Sequence, residues 1–81
     1  MSKICVTVPT AYWGTDLTWH LHEPASVIRE NGRATVVVET DLDPAPVLME
    51  VRHWVTYQGL GSVVVDVDGE RVTLLADPAR A

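Results

Sequence analysis

Apolar and polar residues alternate along much of this chain, and one stretch follows a longer period. Residues 43–61, DPAPVLMEVRHWVTYQGLG, place Val47, Leu48, Val51, Trp54 and Val55 at helical spacing, on a single stripe. Both ends of this helix are marked in the sequence. Asp43 makes a good N-cap because its carboxylate can accept from the free N–H groups of the first turn. Pro44 suits the first helical position, where its missing N–H costs nothing. Leu42 and Val47 have the spacing of a hydrophobic staple. At the far end Gly59 can take the left-handed conformation, and Leu60 can fold back on the last turn.

The remaining segments read as strands. In residues 3–8, Ile4, Val6 and Val8 face one way while Cys5 and Thr7 face the other, and Pro9 ends the run. Residues 10–16 read as a loop carrying Tyr12 and Trp13. Residues 17–22 alternate, with Leu17, Trp19 and Leu21 on one face and Thr18, His20 and His22 on the other, the pattern of a half-buried strand. Residues 33–42 form a strand centred on Val36, Val37 and Val38.

Two turns organise the strands. Residues 23–31 fit either a short helix starting at Pro24 or a strand that enters a two-residue turn at Asn31 and Gly32. The hairpin is preferred, because it sets Glu30 against Arg33, Ile28 against Thr35 and Val27 against Val36. Residues 62–75 form a second hairpin that turns at Asp68 and Gly69. Val67 then opposes Glu70, Asp66 opposes Arg71, Val65 opposes Val72 and Val63 opposes Leu74. The face with Val63, Val65, Val67, Val72 and Leu74 is core. The element order is read as β-β-β-α-β-β. The fold expected is a two-layer α+β domain spanning 1–81, a mostly antiparallel sheet with one helix packed on one face. The other sheet face keeps Val37 and Val64, to be covered by the Tyr12 and Trp13 loop or by another chain.

Composition narrows the class. The chain has 81 residues, enough for one core, and its hydrophobic fraction of 47% is that of a folded protein. A net charge of −5 argues against binding a nucleic-acid backbone, where a basic face is needed. No apolar run approaches the roughly 20 residues of a membrane span, and the first residues lack a signal-peptide pattern. With one cysteine, Cys5, no intrachain disulfide can form. These features point to a cytoplasmic protein without a membrane partner. Arginine outnumbers lysine and phenylalanine is absent, as GC-rich coding tends to produce; that points to an actinobacterial or phage source.

Candidate chemistry is sparse. His20 and His22, two apart on a strand, would point the same way and could hold one metal ion, with a third ligand still required. Asp66, Asp68 and Glu70 resemble a calcium loop only superficially, since valine strands rather than helices flank them. Ser26 and Ser62 have no base nearby in the sequence, Cys5 reads as a packed thiol, and no glycine-rich phosphate loop opens a helix. Trp19 and Trp54 read as core; Tyr12 and Trp13 read as partner anchors, with Trp13 capping an open sheet end as the alternative.

Opposite the apolar stripe, the helix presents Met49, His53, Thr56 and Tyr57, flanked by Glu50 and Arg52. A solvent-facing helix usually carries charged residues there, and methionine and tyrosine are more at home in interfaces. The expected function is therefore a non-enzymatic protein–protein interaction domain. It would be a small accessory or regulatory protein that docks on itself as a homodimer or on a protein partner, and that needs no cofactor. The alternative is a small metal- or ligand-binding domain using His20 and His22.

The Asp68 and Gly69 turn yields a test. A type I′ turn demands positive φ at Gly69, where a β-branched residue is poorly tolerated. Gly69→Val is expected to cost on the order of 1 kcal/mol or more, read as a lower denaturation midpoint.

Overall fold

Ser2–Val8 forms a strand, β1, with Ile4, Val6 and Val8 buried and Cys5 and Thr7 half-buried on its other side. The computed structural model describes residues 2–21, 24–41 and 43–76. After β1 come helix α1 (Ala11–His20), strands β2 (Ala25–Glu30) and β3 (Arg33–Thr40), helix α2 (Ala45–Gln58), and strands β4 (Ser62–Val67) and β5 (Glu70–Leu75). The strands make one antiparallel sheet in the order β2-β3-β1-β4-β5. The two-layer α+β architecture expected from the sequence is correct. The element order is not, because a second helix makes it β-α-β-β-α-β-β. Helix α1 carries the chain from β1 past β3 to β2, and α2 carries it from β3 past β1 to β4. This is the split β-α-β arrangement of ferredoxin-like folds, used twice, with β5 added at one edge.

Helix α1 overturns the reading of residues 17–22 as a strand and of Tyr12 and Trp13 as loop residues. Thr10, in extended conformation, is its N-cap, with Oγ1 accepting from the Trp13 N–H at 3.4 Å. The Gly14 N–H donates to the Thr10 carbonyl at 3.1 Å. Gly14, Leu17 and Leu21 are buried, at spacings of three and four, which is the helical period. The alternation of Leu17, Trp19 and Leu21 is a coincidence of composition, and Trp19 stands 85% exposed rather than in the core.

Gly14 concealed this stripe. Glycine costs a helix about 1 kcal/mol relative to alanine and does not look like a core position. A Cβ placed there would lie 3.0 Å from Val27 Cγ1 and 3.5 Å from Ala34 Cβ. The missing side chain is what lets α1 settle directly on β2 and β3.

Both hairpins have the expected register. Glu30 pairs with Arg33 and Val27 with Val36; Asp66 pairs with Arg71 and Val65 with Val72. The positive φ angles of Asn31 (50°), Gly32 (77°), Asp68 (51°) and Gly69 (88°) are those of type I′ turns. Asp68 also ties its turn to β1: the Lys3 N–H donates to Asp68 Oδ1 at 2.8 Å, and the Asp68 N–H donates to the Lys3 carbonyl at 2.9 Å.

The α2 caps are close to those expected. Pro44 rather than Asp43 is the N-cap, one residue later than expected, and Asp43 Oδ1 accepts from the Ala45 N–H at 3.0 Å. At the other end Gly59 has φ 71°, and the Gly59 and Leu60 N–H groups donate to the Thr56 and Val55 carbonyls, a Schellman closure. Val47, Val51, Trp54 and Val55 are buried and Leu48 packs beside them. The staple with Leu42 lies outside the described residues, as does His22.

The core follows from the register. Across the sheet, Ile4 stands beside Val38 and Val67, and Val6 beside Val36 and Val65, and the two helices cover this face. The cover thins at the β5 edge. Val63 and Val65 are buried, Val67 and Leu74 are half-buried, and Val72, expected in the core, is 40% exposed.

Cys5, Thr7, Thr35, Val37, Val64 and Asp66 lie on the opposite face and are half-buried by their neighbours. The Tyr12 and Trp13 segment does not cover them, because α1 lies on the other side of the sheet. The Asp66 and Arg71 pair is 3.4 Å long with the Arg71 side chain 76% exposed, so solvent screens it to well under ~1 kcal/mol.

The α1 contact predicts an asymmetric response to size. In Gly14→Ala, the helical gain of about 1 kcal/mol offsets the squeeze on Val27, which lies on an edge strand and can yield slightly; its denaturation midpoint should stay close to wild type. Gly14→Leu should lower stability by about 2 kcal/mol or more in the same measurement, because the larger side chain must push the helix off the sheet.

Candidate interaction surface

The two helices meet along a seam filled by Trp54. Its indole is fully buried and packs edge-to-face on Trp13, with ring centres 6.1 Å apart. The indole Nε1–H donates to Asp16 Oδ2 at 2.7 Å, and Gln58 Nε2 donates to the same oxygen at 2.6 Å. Asp16 therefore belongs to the seam. Trp13, expected as an exposed anchor, is half-buried between Tyr12, at 5.5 Å, and Trp54.

The sides of both helices turned away from the sheet carry the most exposed large apolar residues among the described residues. On α1, Tyr12 is 73% exposed and Trp19 85%; on α2, Met49 is 73% exposed and Tyr57 77%. His53 is exposed among them on α2, and half-buried Thr56 donates its hydroxyl to the Arg52 carbonyl at 2.9 Å. Of the residues singled out in the sequence, Met49, His53, Tyr57 and Tyr12 thus share the outer side of one helical layer. Thr56 lies at its margin and Trp13 beneath it. Trp19 was missed because the strand reading pointed it inward. With residues 11–20 helical, Tyr12, Thr15 and Trp19 fall on one face at spacings of three and four, opposite Gly14, Leu17 and Leu21.

The proposed histidine pairing also changes. His20 ends α1 instead of lying on a strand, so the argument that His20 and His22 share a strand face does not hold. The ring that meets His20 is His53, from α2, with centres 5.7 Å apart and planes at 78°. Cys5 is on the opposite face of the sheet. Among the described residues, no group of three or more His, Cys, Asp or Glu side chains is placed to hold a metal ion.

The bare sheet face has a different character. Lys3, Glu30, Arg33, Glu39, Asp66 and Arg71 stand on it around Thr7, Thr35, Val37 and Val64. A groove of about 330 Å³ lies at the end of the sheet and is lined from both faces, by Thr7 and Val64 on one and Val8 and Val63 on the other, with Pro9 and Leu60 beside them. No family model, no curated protein and no solved structure matches this chain. No helix among the described residues is long and apolar enough to cross a membrane.

Asp16 is half-buried and accepts both hydrogen bonds of the seam. Asp16→Ala leaves the buried Trp54 N–H without its acceptor and should cost about 1–3 kcal/mol in a urea melt. Asp16→Asn keeps an acceptor oxygen at the same place and should lose less.

Proposed function

We propose that this chain is a non-enzymatic protein–protein interaction domain, a small accessory or regulatory protein that docks through the outer side of its helical layer. The observation that carries this reading is the gathering of Tyr12, Trp19, Met49 and Tyr57, each at least 73% exposed, on that one surface. Such side chains supply most of the binding energy where proteins meet, and folding this domain does not require them.

A second copy is the favoured occupant. Two chains of net charge −5 repel each other, so a homodimer forms most readily through a face that adds no like-charge contacts. The outward positions Tyr12, Thr15, Trp19, Met49, Thr56 and Tyr57 carry no charge, Asp16 is held by Trp54 and Gln58, and the flanking Glu50 and Arg52 are of opposite sign. The bare sheet face, lined with charges of both signs, would have to desolvate them.

Sedimentation of the purified protein tests this. The wild type is expected to dimerise at micromolar concentration, and Met49→Glu combined with Tyr57→Glu to be monomeric, as is Trp19→Glu. All should keep the wild-type circular dichroism spectrum, since these side chains are exposed. A wild type that stays monomeric, or variants that associate as it does, would overturn the reading.

A further inference from the structure

We propose that His20 and His53 form half of a binding site for a divalent transition-metal ion such as zinc, completed by the same pair from a second copy. The inference rests on the self-association reading above, because one copy alone offers an incomplete set of ligands. The two rings come from different helices and are held by different parts of the fold, His20 by the last turn of α1 and His53 by the third turn of α2. Two imidazoles on one tetrahedral ion, with metal–nitrogen bonds of about 2 Å, have ring centres about 5 Å apart. The observed centre separation of 5.7 Å is close to that value, with the two planes at 78°.

Borderline-soft ions such as zinc take neutral imidazole readily, whereas hard ions such as calcium and magnesium prefer oxygen ligands. A two-fold axis passing near the pair would bring four imidazoles together, the number a closed tetrahedral site requires. The surrounding uncharged residues suit this arrangement. Trp19 precedes His20 directly, and Met49 and Tyr57 stand one turn either side of His53, so contact between copies would shield the ion from water. Glu50 and Arg52, of opposite sign, flank the contact on α2. The metal then adds its bonding to an apolar contact that exists without it.

Zinc titration followed by calorimetry, and sedimentation in zinc or in EDTA, test this. The wild type should bind one zinc per two chains, and zinc should tighten the dimer. His20→Ala and His53→Ala should each weaken zinc binding at least about ten-fold, and zinc should no longer tighten the dimer of either variant. Zinc binding that survives His53→Ala, that occurs without any effect on sedimentation, or that is absent altogether would overturn the proposal. The two readings fail separately. A dimer in EDTA that zinc does not affect removes the metal site alone. A protein monomeric in both buffers removes the interface and the shared site together.

Discussion

The fold depends on burying one indole between two helices and giving its N–H an acceptor. Trp54 is the largest fully buried side chain, and it reaches that position from α2 only because α1 supplies Trp13 as a packing surface and Asp16 as a hydrogen-bond partner. A buried indole N–H without an acceptor would cost a large part of a small domain's net stability. The shared Asp16 oxygen, which also receives Gln58, fixes how the two helices sit against each other. That relation in turn decides which side chains point outward and brings His20 beside His53. The close seat of α1 on β2 and β3 at Gly14 is the second half of the same constraint, because a helix standing further from the sheet could not present Asp16 at this height.

The sequence was most legible where local chemistry and pattern agreed. At 31–32 and 68–69 the turn residues demand one geometry, and cross-strand partners check the register independently. Helix α2 carries a stripe, an N-terminal Asp and Pro, and a closing Gly, all consistent with one another. Helix α1 lacks that agreement. Its cap is a threonine without an acidic partner three residues on, and a glycine occupies a buried position. Its last residues also alternate by chance, so the wrong period prevailed. The glycine's role is steric and lies between elements distant in sequence, in its distance to Val27 and Ala34, which no local pattern encodes.

The candidate surface was half legible for the same reason. Met49, His53 and Tyr57 were found because α2 was correctly identified. The chance alternation of residues 17–22 hides Trp19, and Trp13 packs into the seam against Trp54 instead of standing exposed. The meeting of His20 with His53 could not be read from spacing at all, since 33 positions separate them and only the packing of two helices brings them together.

Folding alone does not account for the residues on the outer helical side. At exposed helical positions lysine, glutamate, glutamine and arginine have better helix propensity than tryptophan or tyrosine, and they keep a domain soluble. Substitutions at such positions change stability by only a few tenths of a kcal/mol, so the fold places almost no constraint on them. Every buried side-chain nitrogen and oxygen among the described residues already has a partner, and the core is complete beneath both helices. Tyr12 packs edge-to-face on Trp13, whereas Trp19, Met49 and Tyr57 lie outside the core and the residues packed against it. Their apolar surface costs solubility in the isolated chain, and that cost is offset when the surface is covered.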